Sequence, residues 1–403
     1  MFEFEKLISF LGLCLFILIC WLLSENKKAI AWHTVIMGIV FQLVFALFIL
    51  KTSVGLAIFD GCKNFFEGIL SYANEGGSFL FGNLTNVEKS GFIFAFLILP
   101  TVIFMGTLMS VLYHLRVMEF LVKGIAFLMV KVMKTSGSES LSAAANIFIG
   151  QTEAPLVIRP FLHTMTRSEL MALMTGGMAT VAGGVLAAYV GMGIDAGHLL
   201  AASVMSAPAS LVCAKLLVPE TQTSVTLGTV NIKLEKETSN IVDAATKGAS
   251  DGLMLALNIG AMLIAFIALV ALVNGGLTYI TGDRVNLELI MSIIFRPVAY
   301  LMGVSWEESH FVAILLGKKL VFNEFVAYLD LQKLKDTLSP RAFTLSTYAL
   351  CGFANFASVG IQIGGIGALA PSKRPELCSL GMKSLLAGTI ACLMTACVAG
   401  LLV

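Results

Sequence analysis

Two carboxylates lie inside long apolar segments of this chain, where burying a charged group is unfavourable unless the protein compensates for it. Glu153 belongs to the motif GQTEAP at residues 150–155, and Glu324 lies in a second apolar segment. Burying each charge costs several kcal/mol unless it is paired. One explanation is a structural ion pair, of Glu153 with Arg159 or of Glu324 with Lys319. Polar clusters at membrane depth otherwise mark a substrate or ion path, and two of them predict two halves of one binding site.

Neutral hydrogen-bonding side chains accompany the two carboxylates. Gln151 and Thr152 precede the first of them. Asn355 and Ser358 lie in a later apolar segment. These donors and acceptors suit an uncharged ligand with several hydroxyl groups, whereas an anion would call for converging arginines. Phe353 offers an apolar face to a ring, although it fits an ordinary core position equally well.

A glycine pair predicts a weak point in one membrane helix. Gly183 and Gly184 lie in mid-span, and each costs about 1 kcal/mol of helix stability relative to Ala. Unwinding there would free backbone carbonyls for a small alkali cation, and the hydroxyl of Thr180 could join them. The pair also fits close packing between helices, as small residues do throughout membrane bundles. Both interpretations stay open on the sequence alone.

The composition places these residues in a polytopic membrane protein. The 403-residue chain is 58% hydrophobic and 13% charged, with a mean hydropathy of +0.91, against about 45–50% apolar and about 25% charged residues in soluble domains. A net charge of +1 gives no reason to expect a nucleic-acid partner. The eight cysteines lack metal-ligand spacing, and no HExxH, Walker or GxSxG motif supports an enzyme or an ATP-driven pump. We therefore expect neither a catalytic residue nor a cofactor.

Eight stretches are long enough to cross a bilayer, which takes about 20 apolar residues. They lie at about 7–23, 34–50, 91–115, 168–190, 198–217, 252–273, 342–368 and 381–402. The first is predicted to be a retained span, since no cleavage site is evident. Two further apolar segments, 141–163 and about 309–331, carry polar residues at their centres and must return to the side they entered. We predict that they are re-entrant helical hairpins, which are tolerated when buried in protein or lining a wet cavity.

Loop charges predict the orientation of the spans. The basic residues that share one side are Lys27, Lys28, those of 116–134, Lys233, Lys236, Lys247, Lys373 and Arg374. Acidic residues that include Asp60 and Asp283 fall in the opposite loops, although Lys51 and Lys63 lie there too. The positive-inside rule makes the basic side cytoplasmic. Both termini are then predicted to lie outside.

The two hairpins belong to an internal repeat. In each copy an amphipathic interfacial segment (117–134 or 286–303) leads to a hairpin, a loop arginine and two spans. Three spans separate the hairpins, so the copies must be inverted, as in secondary transporters. Chance similarity among apolar helices is the alternative, but the matched order of features argues against it. The predicted fold is an all-α polytopic membrane protein with eight transmembrane helices, two re-entrant helical hairpins in an inverted repeat, and interfacial amphipathic helices.

Five motifs are distinctive when they are taken together. They are YANEG (72–76), SAAANIFIGQTEAPL (142–156), AGGV (182–185), NEFVA (323–327) and CGFAN (351–355). The chain thereby resembles the concentrative nucleoside transporter family over essentially its whole length. The resemblance implies a homotrimer in the cytoplasmic (inner) membrane that imports uridine-like nucleosides, with sodium as coupling ion, by an elevator-type movement.

The resemblance also implies a division of the chain into a scaffold and a transport domain. Residues 1–116 and the span 252–273, with an outward interfacial helix, would form the scaffold. Residues 117–217 and 286–403 would form the two repeats of the transport domain. That arrangement would bring both hairpins into the part that moves.

The site residues follow from the resemblance, position by position. The residues implied to face the nucleobase are Gln151, Thr152, Glu153, Val185 and Leu257. Those implied at the ribose are Glu324, Phe353, Asn355 and Ser358. Those implied to bind sodium, mostly through main-chain oxygens, are Asn146, Ile149, Thr180 and Val181. Proton-coupled members of the family are altered at the glycine pair and the asparagine; both remain here, so sodium is favoured over a proton-coupled alternative.

Overall fold

The computed structural model describes residues 2–91, 93–228, 238–282 and 284–403. Helices dominate these residues, and no strand occurs among them beyond one isolated bridge between Ser136 and Leu227. Lys233, Lys236 and Asp283, which entered the predicted orientation, lie outside the described residues.

The helices fall into three groups along the chain. Those before the first hairpin are α1 (Phe2–Leu22), α2 (Trp32–Lys51), α3 (Ser53–Phe81), α4 (Val87–Ser90), α5 (Phe94–His114) and α6 (Val117–Met133). The next are α7 (Gly137–Asn146), α8 (Ala154–Val157), α9 (Arg167–Ala179), α10 (Gly183–Gly191), α11 (Ala196–Leu217) and α12 (Ile241–Thr281). The last are α13 (Leu287–Leu301), α14 (Ser309–Val321), α15 (Glu324–Lys333), α16 (Pro340–Leu350), α17 (Phe356–Leu369) and α18 (Arg374–Leu402).

The eight predicted spans are present. Seven segments in the described part of the chain are long and apolar enough to cross a membrane, with α9 and α10 together forming one of them. The eighth span consists of α16 and α17, separated by residues 351–355. The protein is therefore a multi-pass, all-α membrane protein. The sixth span is much longer than 252–273, because α12 runs for 41 residues from its Asn240 cap.

The first hairpin is confirmed, and the first span of its repeat is broken, which is one of the two interpretations that the glycine pair left open. α7 descends to a turn at residues 147–153, and α8 and a 3-10 segment (Arg159–Thr164) return. α9 and α10 are interrupted at residues 180–182. There Gly183 N donates to Phe148 O at 2.8 Å, so the start of α10 is bonded to the hairpin turn rather than to α9.

The second copy repeats this design in α14 to α17. Hairpin 2 is α14 and α15, and its tip is capped by Asn323, whose side chain accepts from Val326 N. The break between α16 and α17 was not predicted. Gly352 lies there at φ +154°, and an added Cβ would lie 2.9 Å from the carbonyl of Ala179. Asn355 then caps α17 by accepting from Ser358 N.

Buried polar contacts hold the open end of hairpin 1, which is the end opposite its turn. Ser136 and Glu139 form a capping box at the start of α7. Glu139 Oε2 lies 2.6 Å from Lys215 Nζ, and both side chains are buried. Glu169 at the start of α9 accepts from the hydroxyls of Ser136 and Ser138 at 2.5 and 2.9 Å. The ends of α7, α9 and α11 are thereby joined.

The corresponding end of hairpin 2 uses a different set of contacts. Glu308, just before α14, accepts from the hydroxyl of Ser339 at 2.9 Å. The guanidinium of Arg341 donates to the carbonyl of Gly400 at 2.8 Å and so caps the end of α18. Hairpin 1 is therefore fixed to both spans that follow it, whereas hairpin 2 is fixed to the start of α16, which Arg341 joins to α18.

α1 and α2 pack on the repeats. α1 lies against α18, and α2 lies against α11 and α18. Gln42 Nε2 donates to Thr395 Oγ1 at 3.0 Å in this buried interface. Gly38 allows close approach of α2 and α11, since an added Cβ would lie 2.4 Å from Val212 Cγ2.

The loop after α1 makes an ionic contact with both repeats. Glu25 accepts from Arg167 Nη2 at 2.9 Å and from Lys383 Nζ. These hydrogen bonds, that of Arg167 above all, lower the pKa of the Glu25 carboxyl to about 2 against partial burial, which raises it. The carboxylate is therefore charged at neutral pH and ties α1 to α9 and α18.

α5 and α12 form a separate pair. Glycines permit the close approach: an added Cβ on Gly248 would lie 2.6 Å from Gly106 O, and one on Gly252 would lie 2.8 Å from Ile103 Cα. α10 and the long helix α3 also pack against α5. α5 therefore lies between α12 and the first repeat.

Candidate functional site

The two hairpins bring their polar residues toward the breaks of the opposite repeat. Gln151 in the turn of hairpin 1 donates from Nε2 to Ser358 Oγ on α17 at 3.0 Å. Its Oε1 accepts from Gln362 Nε2, also at 3.0 Å. Gln151, Ser358 and Gln362 are all buried. The first hairpin is thus bonded to the second half of the second broken span.

Glu324 is buried at the tip of hairpin 2, with one hydrogen-bond donor from each repeat. Tyr189 Oη on α10 donates to its Oε1 at 3.0 Å. Asn355 Nδ2, at the second break, donates to its Oε2 at 3.1 Å. Glu324 is also the first residue of α15, where the helix dipole favours a negative charge. A buried carboxylate in this setting retains unused lone pairs for ligand hydroxyls, because it has about four acceptor sites.

The structural ion pair suggested for Glu324 does not use Lys319. The buried ammonium of Lys319 donates instead to the carbonyl of Ala349 at 2.8 Å. Lys318 lies 2.8 Å from Asp330 and 3.5 Å from Glu288, which binds hairpin 2 to α13. The two lysines of α14 therefore stabilise the position of hairpin 2 and do not pair with Glu324.

Glu153 lies in a different environment from Glu324. Its side chain is exposed, and its Oε2 accepts from Gly150 N at 3.0 Å within the hairpin turn. Thr152 beside it is exposed as well. The two carboxylates that look equivalent in the sequence therefore differ in burial and in partners.

The three predicted apolar contacts lie in different places. Val185 is buried on α10, close to the first break, and Phe353 is half-buried in the second break. Leu257 lies on α12, and its side chain is 57% exposed. The structure does not bring Leu257 into the hydrogen-bonded group of the hairpins, so its contact with a nucleobase stays a prediction.

The four predicted sodium ligands are buried where hairpin 1 meets the first break. Asn146 Nδ2 donates to Ser142 O at 3.0 Å, whereas its Oδ1 is buried without a hydrogen-bond partner among the described residues. Thr180 Oγ1 donates to Gly176 O at 2.8 Å. Ile149 and Val181 are also buried. A buried acceptor with no donor, beside a helix break, fits a hard cation that takes neutral oxygens.

The two breaks touch each other. Phe353 N, in the second break, donates to Thr180 O, in the first, at 3.3 Å. The candidate cation ligands and the candidate ribose ligands therefore share a backbone contact. The described residues contain no group of three His, Cys, Asp or Glu side chains that could hold a metal ion.

Sequence reasoning missed two residues of this site. Tyr189 and Gln362 each lie in an apolar span and make the hydrogen bonds described above to Glu324 and Gln151. Gln362 was detectable, because an amide side chain in a membrane span needs a partner. Tyr189 carried no such signal, since tyrosine is an ordinary core residue.

Three family models together match almost the whole chain. They are the Na+ dependent nucleoside transporter N-terminus at residues 11–84, Nucleoside recognition at 95–196, and the Na+ dependent nucleoside transporter C-terminus at 198–400. An uncharacterized transporter of Haemophilus influenzae is 44% identical over 406 residues, which cover 98% of this chain and 97% of that protein. The chain belongs to the concentrative nucleoside transporter family.

Solved structures support this membership of the concentrative nucleoside transporter family. A structure of CNTnw in an inward-facing substrate-bound state matches with a TM-score of 0.95 and 41% identity, covering 99% of this chain and 98% of CNTnw. A variant of CNTnw in an outward-facing state matches with a TM-score of 0.94 and 40% identity, covering 99% of both chains. The family comprises transporters and not enzymes.

Animal members of the family are longer. Solute carrier family 28 member 3 of Eptatretus stoutii is 43% identical over 418 residues, which cover 99% of this chain but 61% of that protein. The mouse protein of the same name is 43% identical, and the chain spans 59% of its length.

Proposed function

We propose that this protein is a secondary active symporter that imports nucleosides across the cytoplasmic membrane, driven by a sodium gradient. One observation carries the proposal: a buried carboxylate at the tip of hairpin 2, Glu324, lies among neutral amide and hydroxyl groups that come from both repeats. Uncharged donors and acceptors of this kind match the hydroxyl groups of a sugar and the polar edge of a base. Membership of the family supports a nucleoside as the substrate.

Within this site we assign the two hairpins different tasks. Gln151, Thr152 and Glu153 face the nucleobase in this assignment. Thr152 and Glu153 are exposed at the turn, whereas Gln151 is buried and bonded to Ser358 and Gln362. Glu324, Asn355 and Ser358 accept and donate hydrogen bonds to the ribose. Val185, Phe353 and Leu257 supply apolar contact in this assignment.

Sodium is the proposed coupling ion. The Oδ1 of Asn146, which has no hydrogen-bond partner in the described part of the chain, and the break at Thr180 and Val181 support an ion site of neutral oxygens. An ion that orders this break raises nucleoside affinity, and the nucleoside raises ion affinity by the same factor. At about −100 mV one moving charge contributes roughly 2.3 kcal/mol to uptake.

The proposed movement is of the elevator type. The two repeats, 117–217 and 286–403, move as one body against α5 and α12, and the outward- and inward-facing structures of CNTnw support alternating access. The protein is proposed to form a homotrimer in the cytoplasmic membrane, with both termini outside. The resemblance assigns α1 and α2 to the scaffold, although they pack on α18 and α11. Cross-linking of α2 to α11 tests which body they follow.

Uptake into proteoliposomes tests the function. Uridine is expected to accumulate under an inward sodium gradient, and Glu324→Ala is expected to abolish accumulation because the buried ribose acceptor is lost. Glu307→Ala is the matched control, since Glu307 is an exposed carboxylate before the same hairpin. The variant must keep the elution volume of the wild-type oligomer.

Three results would contradict the proposal. Wild-type-like uptake by Glu324→Ala would remove Glu324 from the site. Accumulation that follows a pH gradient and ignores sodium would replace sodium by the proton as coupling ion. Flux that only equilibrates uridine would indicate a passive pore.

A further inference from the structure

Tyr189 links the two repeats at the buried carboxylate. Its side chain is fully buried on α10, and its hydroxyl donates to Glu324 Oε1 at 3.0 Å. The ring packs against Phe325 and Tyr328, with centroid distances of 4.9 and 4.3 Å. The hydrogen bond therefore joins the first repeat to the tip of the second hairpin, and the ring contacts fix its direction.

The two oxygens of Glu324 are restrained from opposite sides. Tyr189 binds Oε1, and Asn355 binds Oε2 at 3.1 Å. Asn355 is itself held, because its Oδ1 accepts from Ser358 N at 2.9 Å. With one donor on each oxygen, rotation of the carboxylate would break a bond in a buried setting, where an unmet bond is expensive.

α10, which carries Tyr189, begins at the candidate ion site. Gly183, its first residue, follows the break that contains Thr180 and Val181. Gly183 N is bonded to Phe148 O in hairpin 1. A cation that orders this break therefore also fixes the helix that carries Tyr189.

We infer that Tyr189 is a positioning residue that holds the Glu324 carboxylate for the sugar hydroxyls and transmits ion binding at the first break to it. This role rests on the proposed function. Tyr189 acts through Glu324 and does not touch the ligand. Its loss should weaken recognition of the hydroxyl groups while leaving contacts with the base in place.

The test removes one oxygen atom. Tyr189→Phe keeps the ring that packs on Phe325 and Tyr328, so folding is retained, as thermal unfolding will check. Equilibrium binding of uridine and of 2′,3′-dideoxyuridine is measured in purified protein, with and without sodium. Uridine affinity is expected to fall about ten- to hundredfold, the range for one hydrogen bond to a charged group. Binding of the dideoxy ligand should change less than threefold, and the factor by which sodium raises uridine affinity should shrink.

Tyr328→Phe is the matched control. Tyr328 is fully buried and stacked on Tyr189, but its hydroxyl donates to Thr347 O at 2.8 Å. The Tyr328→Phe variant should lose about as much stability as Tyr189→Phe, and it should keep the wild-type ratio of uridine affinity to dideoxyuridine affinity. A double variant, Tyr189→Phe with Glu324→Gln, should bind uridine no more weakly than Glu324→Gln alone.

Three results would overturn the inference. Equal loss of both ligands in Tyr189→Phe would make the tyrosine merely structural, as would the same ligand profile in Tyr328→Phe. Full additivity in the double variant would show that Tyr189 does not act through Glu324. Failure of the wild-type protein to bind any nucleoside is a distinct outcome, because it refutes the proposed function and this role with it.

Discussion

Glu153 and Glu324 illustrate what residue types alone can tell. The sequence identified both as anomalies and, through its motifs, connected Glu324 with Asn355, which the structure places 3.1 Å apart. It could not distinguish an exposed carboxylate from a buried one, because both lie in apolar segments. It also missed Tyr189 and Gln362, whose roles depend on which distant chain segment each side chain meets.

Gln362 offers a test at the scale of a single residue. Its Nε2 donates to Gln151 Oε1 and to Met174 O, at 3.0 and 3.1 Å. Gln362→Met keeps the side-chain volume but removes the hydrogen bond to Gln151 Oε1. A hydrogen bond contributes about 0.5–1.5 kcal/mol, so its loss predicts a roughly two- to tenfold higher KM for nucleosides. Uptake kinetics measure the change.

Gln42→Met provides the comparison for this variant. Gln42 is an equally buried amide that donates to Thr395, away from the hairpin turns. Its replacement should leave KM unchanged. An unchanged KM in Gln362→Met would mean that the orientation of Gln151 does not matter for binding.

At the scale of elements, the two helix breaks were unequally predictable. For the first, the glycine pair left unwinding and close packing both open, and the structure shows unwinding, with the break just before Gly183. The second break, at 351–355, looked like continuous span because most of its residues are apolar. The Asn355 and Ser358 spacing, typical of a helix cap, was the available signal.

The two glycines make a matched pair for testing the first break. An added Cβ on Gly183 would lie 3.0 Å from Phe148 O, whereas one on Gly184 would meet nothing nearer than Met105 Cγ at 4.0 Å. Gly183→Ala should therefore displace the hairpin turn and raise the sodium concentration needed for half-maximal uridine uptake several-fold. Gly184→Ala should leave that concentration close to the wild-type value. If both variants changed the sodium concentration equally, the first break would have no specific role in ion coupling.

At the scale of the whole molecule, contacts suggest which helices travel together. α1 and α2 are joined to α18, α11 and α9 through Gln42, Gly38 and Glu25. α5 and α12 pack tightly on each other instead. The order of the spans was predicted correctly from the sequence. The assignment of the first two spans to the scaffold came only from the family resemblance, because residue types alone do not show which body a helix packs on.

Reversible disulfides test this assignment. Cysteines at Gly38 and Val212 should join α2 to α11, and the oxidised protein is expected to transport uridine as fast as the reduced one. Cysteines at Met105 and Gly184 should join α5 to α10 and stop transport until a reductant is added. If the cross-link between α2 and α11 inhibited transport, α2 would belong to the fixed scaffold.

The hydrogen bonds of Gln151 bear on the return step of the cycle. Gln151 bonds to Ser358 and Gln362, which are protein groups and need no cargo. A carrier that has released its nucleoside must recross the membrane unloaded, and bare polar groups would make that step costly. Because Gln151, Ser358 and Gln362 hydrogen-bond to one another, the polar groups of the empty binding site keep their hydrogen bonds while the unloaded carrier returns across the membrane.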